Sequence, residues 1–133
     1  MRVLVCGGRD YTNYNQLCYT LNEIHKIDGI SVIIHGNSRG ADIMAKEWAI
    51  AKGIRHIPFP ADWGDMTEPC YVKKIQGKQY NALAGSKRNQ KMIDEGKPDM
   101  AVAFPGGNGT KDMINKLMKA NIDVKLVGQY QNA

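Results

Sequence analysis

Long hydrophobic runs are missing from this sequence. No stretch of its 133 residues approaches the roughly 20 consecutive apolar residues needed to cross a bilayer. The opening "MRVLVCGGRD" offers only about five apolar residues before glycine and charge intervene, too few for a secretory signal. It reads instead as a first strand, and a cytoplasmic protein with no membrane partner is expected. Cysteine is scarce as well. Cys6, Cys18 and Cys70 are odd in number and lack metal-ligand spacing, so no metal site is expected. Cys6 and Cys18 fall in apolar patterns, where a free cysteine acts as a small hydrophobe. Cys70 follows Pro69 in a polar stretch and is expected to be an exposed thiol. A concentrated basic block is also lacking. The net charge of +5 favours anionic partners in general. The lysines, however, are spread along the chain, and no basic stripe with interleaved aromatics stands out. A small anionic ligand is therefore expected, and nucleic acid is not expected as a partner.

What is present is the makings of one ordinary domain spanning residues 1–133. Hydrophobic residues make up 43% and charged residues 23%, a balance suited to a globular chain. Five short apolar runs stand out: "RVLVC" (2–6), "SVIIH" (31–35), "RHIPF" (55–59), "MAVAF" (100–104) and "VKLV" (124–127). They alternate little, as in parallel strands buried on both faces. Pro58 weakens the third, because it cannot donate to a ladder. Helical spacing lies between the runs: Tyr14, Leu17, Leu21 and Ile24; Ala41, Met44, Ala45 and Trp48; Met92 and Ile93; Met113, Ile114, Leu117 and Met118. Gly53 and Gly96 are placed to stop two of these helices. The order βαβαβ, loop, αβαβ predicts an α/β sandwich with a mostly parallel sheet of about five strands. Residues 64–81 show no clear periodicity. They read as an irregular insertion, which is either a lid, binding loop or oligomer contact, or a tolerated surface loop.

In an open α/β sheet, ligands bind beyond the carboxyl ends of the strands. After the first strand, Gly7 and Gly8 permit a sharp turn, Arg9 offers a planar fork of donors, and Asp10 could hold Arg9 or accept from a ribose hydroxyl. After the second, Gly36 and Gly40 flank Asn37, Ser38 and Arg39 just before a helix, where free N–H groups suit an anion. Asp42 in that helix's first turn serves either the helix or a ligand, and His35 faces either the site or the core. After the third, Asp62 and Trp63 could hold a ribose and stack a base, or Trp63 could simply cover a turn. After the fourth comes "FPGGNGT". Pro105 ends the strand, Gly106, Gly107 and Gly109 strip β-carbons from the turn around Asn108, and Thr110 stands at a helix start. The lysine of GxxxxGK[ST] is lacking, which excludes a P-loop ATPase, and the spacing is not GxGxxG. In the preceding helix Arg88 and Lys91 share a face.

Together, "GGRDY", "HGNSRGAD", "PADW", "YNALAGSKRNQKM" and "AFPGGNGT" resemble, in order and spacing, the YspA-like branch of the SLOG superfamily. The resemblance runs from about residue 3 to residue 127. It implies a Rossmann-like fold that binds nucleotides or nucleotide-derived ligands, a homo-oligomer, and a bacterial cytoplasmic setting, phage-encoded in some members. No cofactor is implied. Relatives include the lonely-guy phosphoribohydrolases and the DNA-processing protein DprA. Pro105, Gly106, Gly107, Gly109 and Thr110 match the PGGxGTxxE motif of the former. Arg88 and Met92 match their RKxxM, with Asn89 in place of lysine. Where those enzymes carry the motif's glutamate this chain has Met113, which has no charge and no useful proton acceptor. Asp112 is one residue away, about 100° around a helix, and is expected to point elsewhere. The first expectation is thus a binding protein for an ADP-ribose-like or cyclic-nucleotide signal, a sensor or a phage-type sponge. The second is a nucleotide N-glycosidic hydrolase with a relocated acid, the catalytic candidates being Asp62, Asp10 and Arg88. The third is a DNA-binding module related to DprA, which the dispersed charge disfavours.

Overall fold

The computed structural model describes residues 1–128. Its elements run β1 (Arg2–Cys6), α1 (Tyr14–Asp28), β2 (Val32–His35), α2 (Ala41–Lys52), β3 (Arg55–Pro58), β4 (Val72–Ile75), β5 (Lys78–Asn81), α3 (Ala84–Asp94), β6 (Met100–Ala103), α4 (Asn108–Lys119) and β7 (Val124–Leu126). Strands without polar alternation need cover on both faces, and crossover helices supply it. Five of them form one sheet in the order β3-β2-β1-β6-β7, and every pairing is parallel. Alternate residues of β1 show the three layers. Val3 and Val5 pack with Leu17 and Leu21 of α1 and Ala45 and Trp48 of α2. Leu4 and Cys6 face the other way, against Met92 of α3 and Met113, Ile114 and Leu117 of α4. The expected Rossmann-like sandwich is what the chain forms. Pro58 is accommodated because β3 is an edge strand, where a missing donor costs nothing in the ladder.

The strand order reverses between β1 and β6. Chain leaving β1 passes to α1 on one face, and chain leaving β6 passes to α4 on the other. The two loops therefore part at a topological switch point, and a crevice opens between them.

The stretch at 64–81 differs from expectation. It is not irregular throughout: β4 and β5 form a separate two-stranded antiparallel sheet. Its turn is Gln76-Gly77, with φ of 51° and 81°. Two consecutive positive φ values make the tight turn that matches strand twist, and glycine at the second position favours it. The hairpin escapes a hydrophobicity reading because all of β4 is exposed, so burial imposes no alternation on it. Its base is fixed by Asn81, which is fully buried. The Asn81 N–H donates to the Trp63 carbonyl (2.7 Å), and its Oδ1 accepts from the N–H groups of Tyr71 (3.1 Å) and Leu83 (2.9 Å). Lys87 adds an ion pair to Asp65 at 2.8 Å. Among the described residues no helix is long and apolar enough to cross a membrane.

Phe104, fully buried at the end of β6, and Ile75, 60% exposed on the hairpin, make a direct test of where the core lies. In urea unfolding, Phe104→Ala is expected to cost about 3–5 kcal/mol. Ile75→Ala is expected to stay within about 0.5 kcal/mol of the parent.

Candidate functional site

A cavity of about 600 Å³ opens at the carboxyl ends of β1, β2 and β6, with Trp63 and the start of α3 also lining it. Its geometry begins with two glycines. The Gly8 N–H donates to the Pro105 carbonyl at 2.9 Å, joining the β1 and β6 loops. A β-carbon on Gly106 would stand 2.7 Å from the Gly8 nitrogen and against Thr110 Oγ1. Only glycine permits that approach. Pro105 and Gly106 thus hold the loops together and do not line the cavity, whereas Gly107, Asn108, Gly109 and Thr110 do. α4 starts there with Gly107 at its N-cap and no side chain capping it. A helix leaves the N–H groups of its first turn without internal partners.

The other glycine motif, at the start of α2, is not equivalent. That helix also lacks a side-chain cap. But the Ala41 N–H already donates to the Gly8 carbonyl (3.2 Å), and the carbonyls of Gly8 and Arg9 pack where a β-carbon of Gly40 would stand. Asp42 Oδ2 accepts from the Ser38 N–H at 3.3 Å. The β1 loop and a carboxyl group therefore fill the position an anion would take.

Asp42 is only 7% exposed, yet it lines the cavity. Burial pushes its carboxyl up to about 6, against the opposing pull of the Ser38 N–H and the Arg88 charge. Arg88 reaches the same region from α3. Its Nη1 donates to the carbonyls of Gly36 (2.6 Å) and Phe59 (3.3 Å), and its Nε donates to Asn89 Oδ1 (3.1 Å). Nη2 is left without a protein partner among the described residues. A β-carbon on Gly36 would stand 2.6 Å from Arg88 Nη1 and 2.9 Å from Asp42 Oδ2, so a side chain there would push both groups aside.

Asp112 was expected to point away; it lines the cavity wall beside Met113. Contacts from α3 and from one turn along α4 draw it there. Its Oδ2 accepts from Asn89 Nδ2 (3.0 Å), and its Oδ1 accepts from Lys116 Nζ (2.8 Å) and Ser86 Oγ (3.3 Å). Burial pushes this carboxyl up, but the Lys116 and Asn89 hydrogen bonds outweigh it and hold the group below the usual carboxylate range. Asp112 is thus an ionised, fully engaged group that links α3 to α4. Met113 is 1% exposed and packs with Leu4, Cys6, Met92 and Ala103 as the cavity's apolar floor. The Cys6 thiol reaches that floor too, and burial pushes it far up, so it stays protonated.

Gly7, Gly8, Arg9, Gly36, Ser38, Asp42, Trp63, Arg88 and Asn89 all line the cavity, together with residues 107–110. The Arg9 guanidinium stands 5.9 Å from the centre of the Trp63 ring. Asp10, Asn37, Arg39 and Asp62 do not line it. Asp10 pairs with Arg39 rather than Arg9, at 3.2 Å, and is 94% exposed. Asp62 accepts from the Gly64 N–H at 3.2 Å within its own turn. Asn37, at φ 58°, turns outward, and its N–H donates to His35 Nδ1 (3.0 Å). His35 belongs to the core: it is fully buried, and its Nε2 lies 3.0 Å from His56 Nδ1. Burial and His56 lower it to about 4, so it is neutral. Cys70 is half-buried rather than exposed. Leu83, Gly85 and Ser86 also line the cavity and are absent from the sequence candidates. Their signal is the run of small residues in "ALAGS", at the head of the helix that carries Arg88.

A raised carboxyl binds its proton more tightly in the folded chain than in the unfolded one. Between the ordinary value near 4 and about 6, folding therefore loses stability as pH rises, by up to about 3 kcal/mol. Chemical unfolding of Asp42→Asn across that window is expected to show this loss removed.

The model of the YspA, cpYpsA-related SLOG family matches residues 1–65. The Gene 61 protein of Mycobacterium phage D29 is 32% identical over 126 residues, which cover 92% of this chain and 93% of that one. Among solved structures, DNA processing protein A (DprA) from Streptococcus pneumoniae superposes with a TM-score of 0.51 at 18% identity, covering 98% of this chain and 59% of that chain. A UDP-N-acetylglucosamine 2-epimerase does so with a TM-score of 0.53 at 14% identity, covering 97% and 35%. The chain thus spans less than two thirds of either solved relative, and at these identities the likeness is one of fold. It still corrects one expectation. Dispersed charge along the sequence predicts no nucleic-acid partner, yet the same fold is found in a DNA-processing protein. Spacing of lysines along a sequence does not report their spacing on the surface. A fold of this kind is capable of nucleotide- or nucleic-acid-related binding in general. The phage relative matches nearly end to end and the family model takes in the loops after β1 and β2, so the chain belongs to the YspA, cpYpsA-related SLOG family.

Proposed function

We propose that the cavity binds a nucleotide or nucleotide-derived signal of the ADP-ribose or cyclic-nucleotide kind, as a sensor or as a phage-type sponge. The observation that carries this reading is the first turn of α4, which lines the cavity uncapped while the start of α2 is already filled. A phosphate at Asn108, Gly109 and Thr110 would meet N–H groups and the positive end of the helix. Trp63, with Arg9 beside it, offers a face for a base. Arg88 Nη2 and Asp42 lie between these points, where a sugar or second phosphate would pass. Met113 supplies no charge at the reacting position, which supports binding over turnover.

Gly109 gives a clean test, since a β-carbon there meets nothing within 4 Å. Aspartate at this position places a negative charge at a helix N-terminus, which favours the helix and opposes a phosphate. Isothermal titration with a panel of ADP-ribose, cyclic nucleotides and nucleoside monophosphates is expected to find a ligand for the parent. Gly109→Asp is expected to weaken it by about tenfold or more with no loss of thermal stability. Equal binding by the variant would place the phosphate elsewhere.

Asp42 favours a second reading, hydrolysis of a nucleotide's N-glycosidic bond. A carboxyl near 6, buried within the cavity, is poised to hold or give a proton near neutral pH. It takes the place of Asp10 and Asp62, which do not line the cavity. Under this reading, chromatography of nucleoside monophosphates and NAD after incubation shows free base, and Asp42→Asn releases about a hundredfold less. No free base from the parent would leave binding alone.

A further inference from the structure

The hairpin carries a surface that the cavity does not account for. Between Glu68 and Asp94 the chain holds Lys73, Lys74, Lys78, Lys87, Arg88 and Lys91 and no carboxylate. In the hairpin Lys73 stands opposite Tyr80, and Ile75 stands opposite Lys78. Directly opposed residues share a face, as do alternate residues of one strand. Lys73, Ile75, Lys78 and Tyr80 therefore lie together, and Tyr71 joins them, with Lys73 Nζ 5.6 Å from its ring centre. The Tyr80 ring meets Trp63 edge-on, centroids 6.2 Å apart, and Trp63 in turn meets Arg9. The result is a continuous run of rings and cations, from the hairpin face to the mouth of the cavity. Among the described residues Lys73, Lys78 and Arg9 form no salt bridge.

We propose that this face binds single-stranded nucleic acid, with bases stacked on Tyr71 and Trp63 and phosphates neutralised by Lys73, Lys78 and Arg9. Exposed rings interleaved with cations on an extended strand pair are what an unpaired strand needs: a π-face for each base and a charge for the backbone between. Sequence tolerance follows, because every base has a face to stack. A second copy of the chain fits less well. Two such faces packed together would bring lysines against lysines with no carboxylate to relieve them. The proposal shares Trp63 and Arg9 with the reading above, but Tyr71, Lys73 and Lys78 do not line the cavity, so variants at those three test it separately.

The test is fluorescence anisotropy of the full chain with labelled oligothymidylate and oligouridylate of about 20 nucleotides, titrated at several salt concentrations. Both probes are expected to bind, more weakly as salt rises. Tyr71→Ala is expected to weaken binding by about tenfold. Lys73→Gln with Lys78→Gln is expected to lower the slope of log affinity against log salt by about 1.4. All three side chains are exposed, so an unchanged melting temperature shows that the variants fold. Lys26→Gln with Lys52→Gln, at the opposite end of the sheet, is expected to leave the affinity for both probes as it was. Absence of binding at low salt would overturn the proposal, as would equal binding by the hairpin variants. So would sedimentation showing a dimer that Ile75→Glu dissociates while no oligonucleotide binds, for then a second copy covers the face.

Discussion

One short backbone contact sets the geometry of the candidate site. The Gly8 N–H reaches the Pro105 carbonyl across the point where the sheet reverses its order. Two loops that leave the sheet toward opposite layers are thereby fastened at their bases. Side chains would keep them apart, and the collision that any β-carbon on Gly106 would make with Gly8 and Thr110 shows how little room there is. Because the loops touch at the base, they diverge above it. The divergence exposes the first turn of α4 to the cavity, while the carbonyl of Gly8, on the other side, takes the Ala41 N–H of α2. The same contact thus opens one helix start and closes the other.

This asymmetry governs the electrostatics. The open start of α4 offers partial positive charge, and the closed start of α2 carries Asp42, a buried carboxyl with a raised proton affinity. Arg88 lies between them, held to Gly36 and Phe59 so that part of its guanidinium stays free. Asp112 adds a negative charge to the wall, but Lys116 and Asn89 already hold it. What remains for a ligand is a phosphate position, a cation, a carboxyl able to change its protonation, and an aromatic rim. Met113 closes the floor with carbon and sulfur, and no ionisable group stands in its place.

Much of the fold was legible because burial dictates it. Runs such as "RVLVC" and "MAVAF" are apolar on both faces, and helices spaced between them leave few topologies open. The glycine loops were legible for a related reason: Gly8 and Gly106 are where a β-carbon cannot fit. Legibility failed where burial gave no guidance. The hairpin of residues 72–81 is exposed, so its strands needed no hydrophobic alternation, and only the Gln76-Gly77 turn marked them. Asp10, Arg39 and Asp62 each sit next to a lining residue, and side chains that close to a loop tip can turn either way. Asp10 turned to Arg39, and Asp62 turned to its own backbone. Asp112 failed in the opposite sense. Rotation about the helix axis suggested that it faced away, but α3 packs against that side and supplies Asn89 and Ser86.

The central claim is that the open start of α4 receives a phosphate. Amide chemical shifts read it most directly. In a ¹⁵N-labelled sample titrated with the ligand that binds, the largest shifts are predicted at the amides of Asn108, Gly109 and Thr110, with the Trp63 indole following and the amides of Ala41 and Asp42 moving little. Shifts centred on Ala41 and Asp42, with residues 108–110 unmoved, would contradict the account.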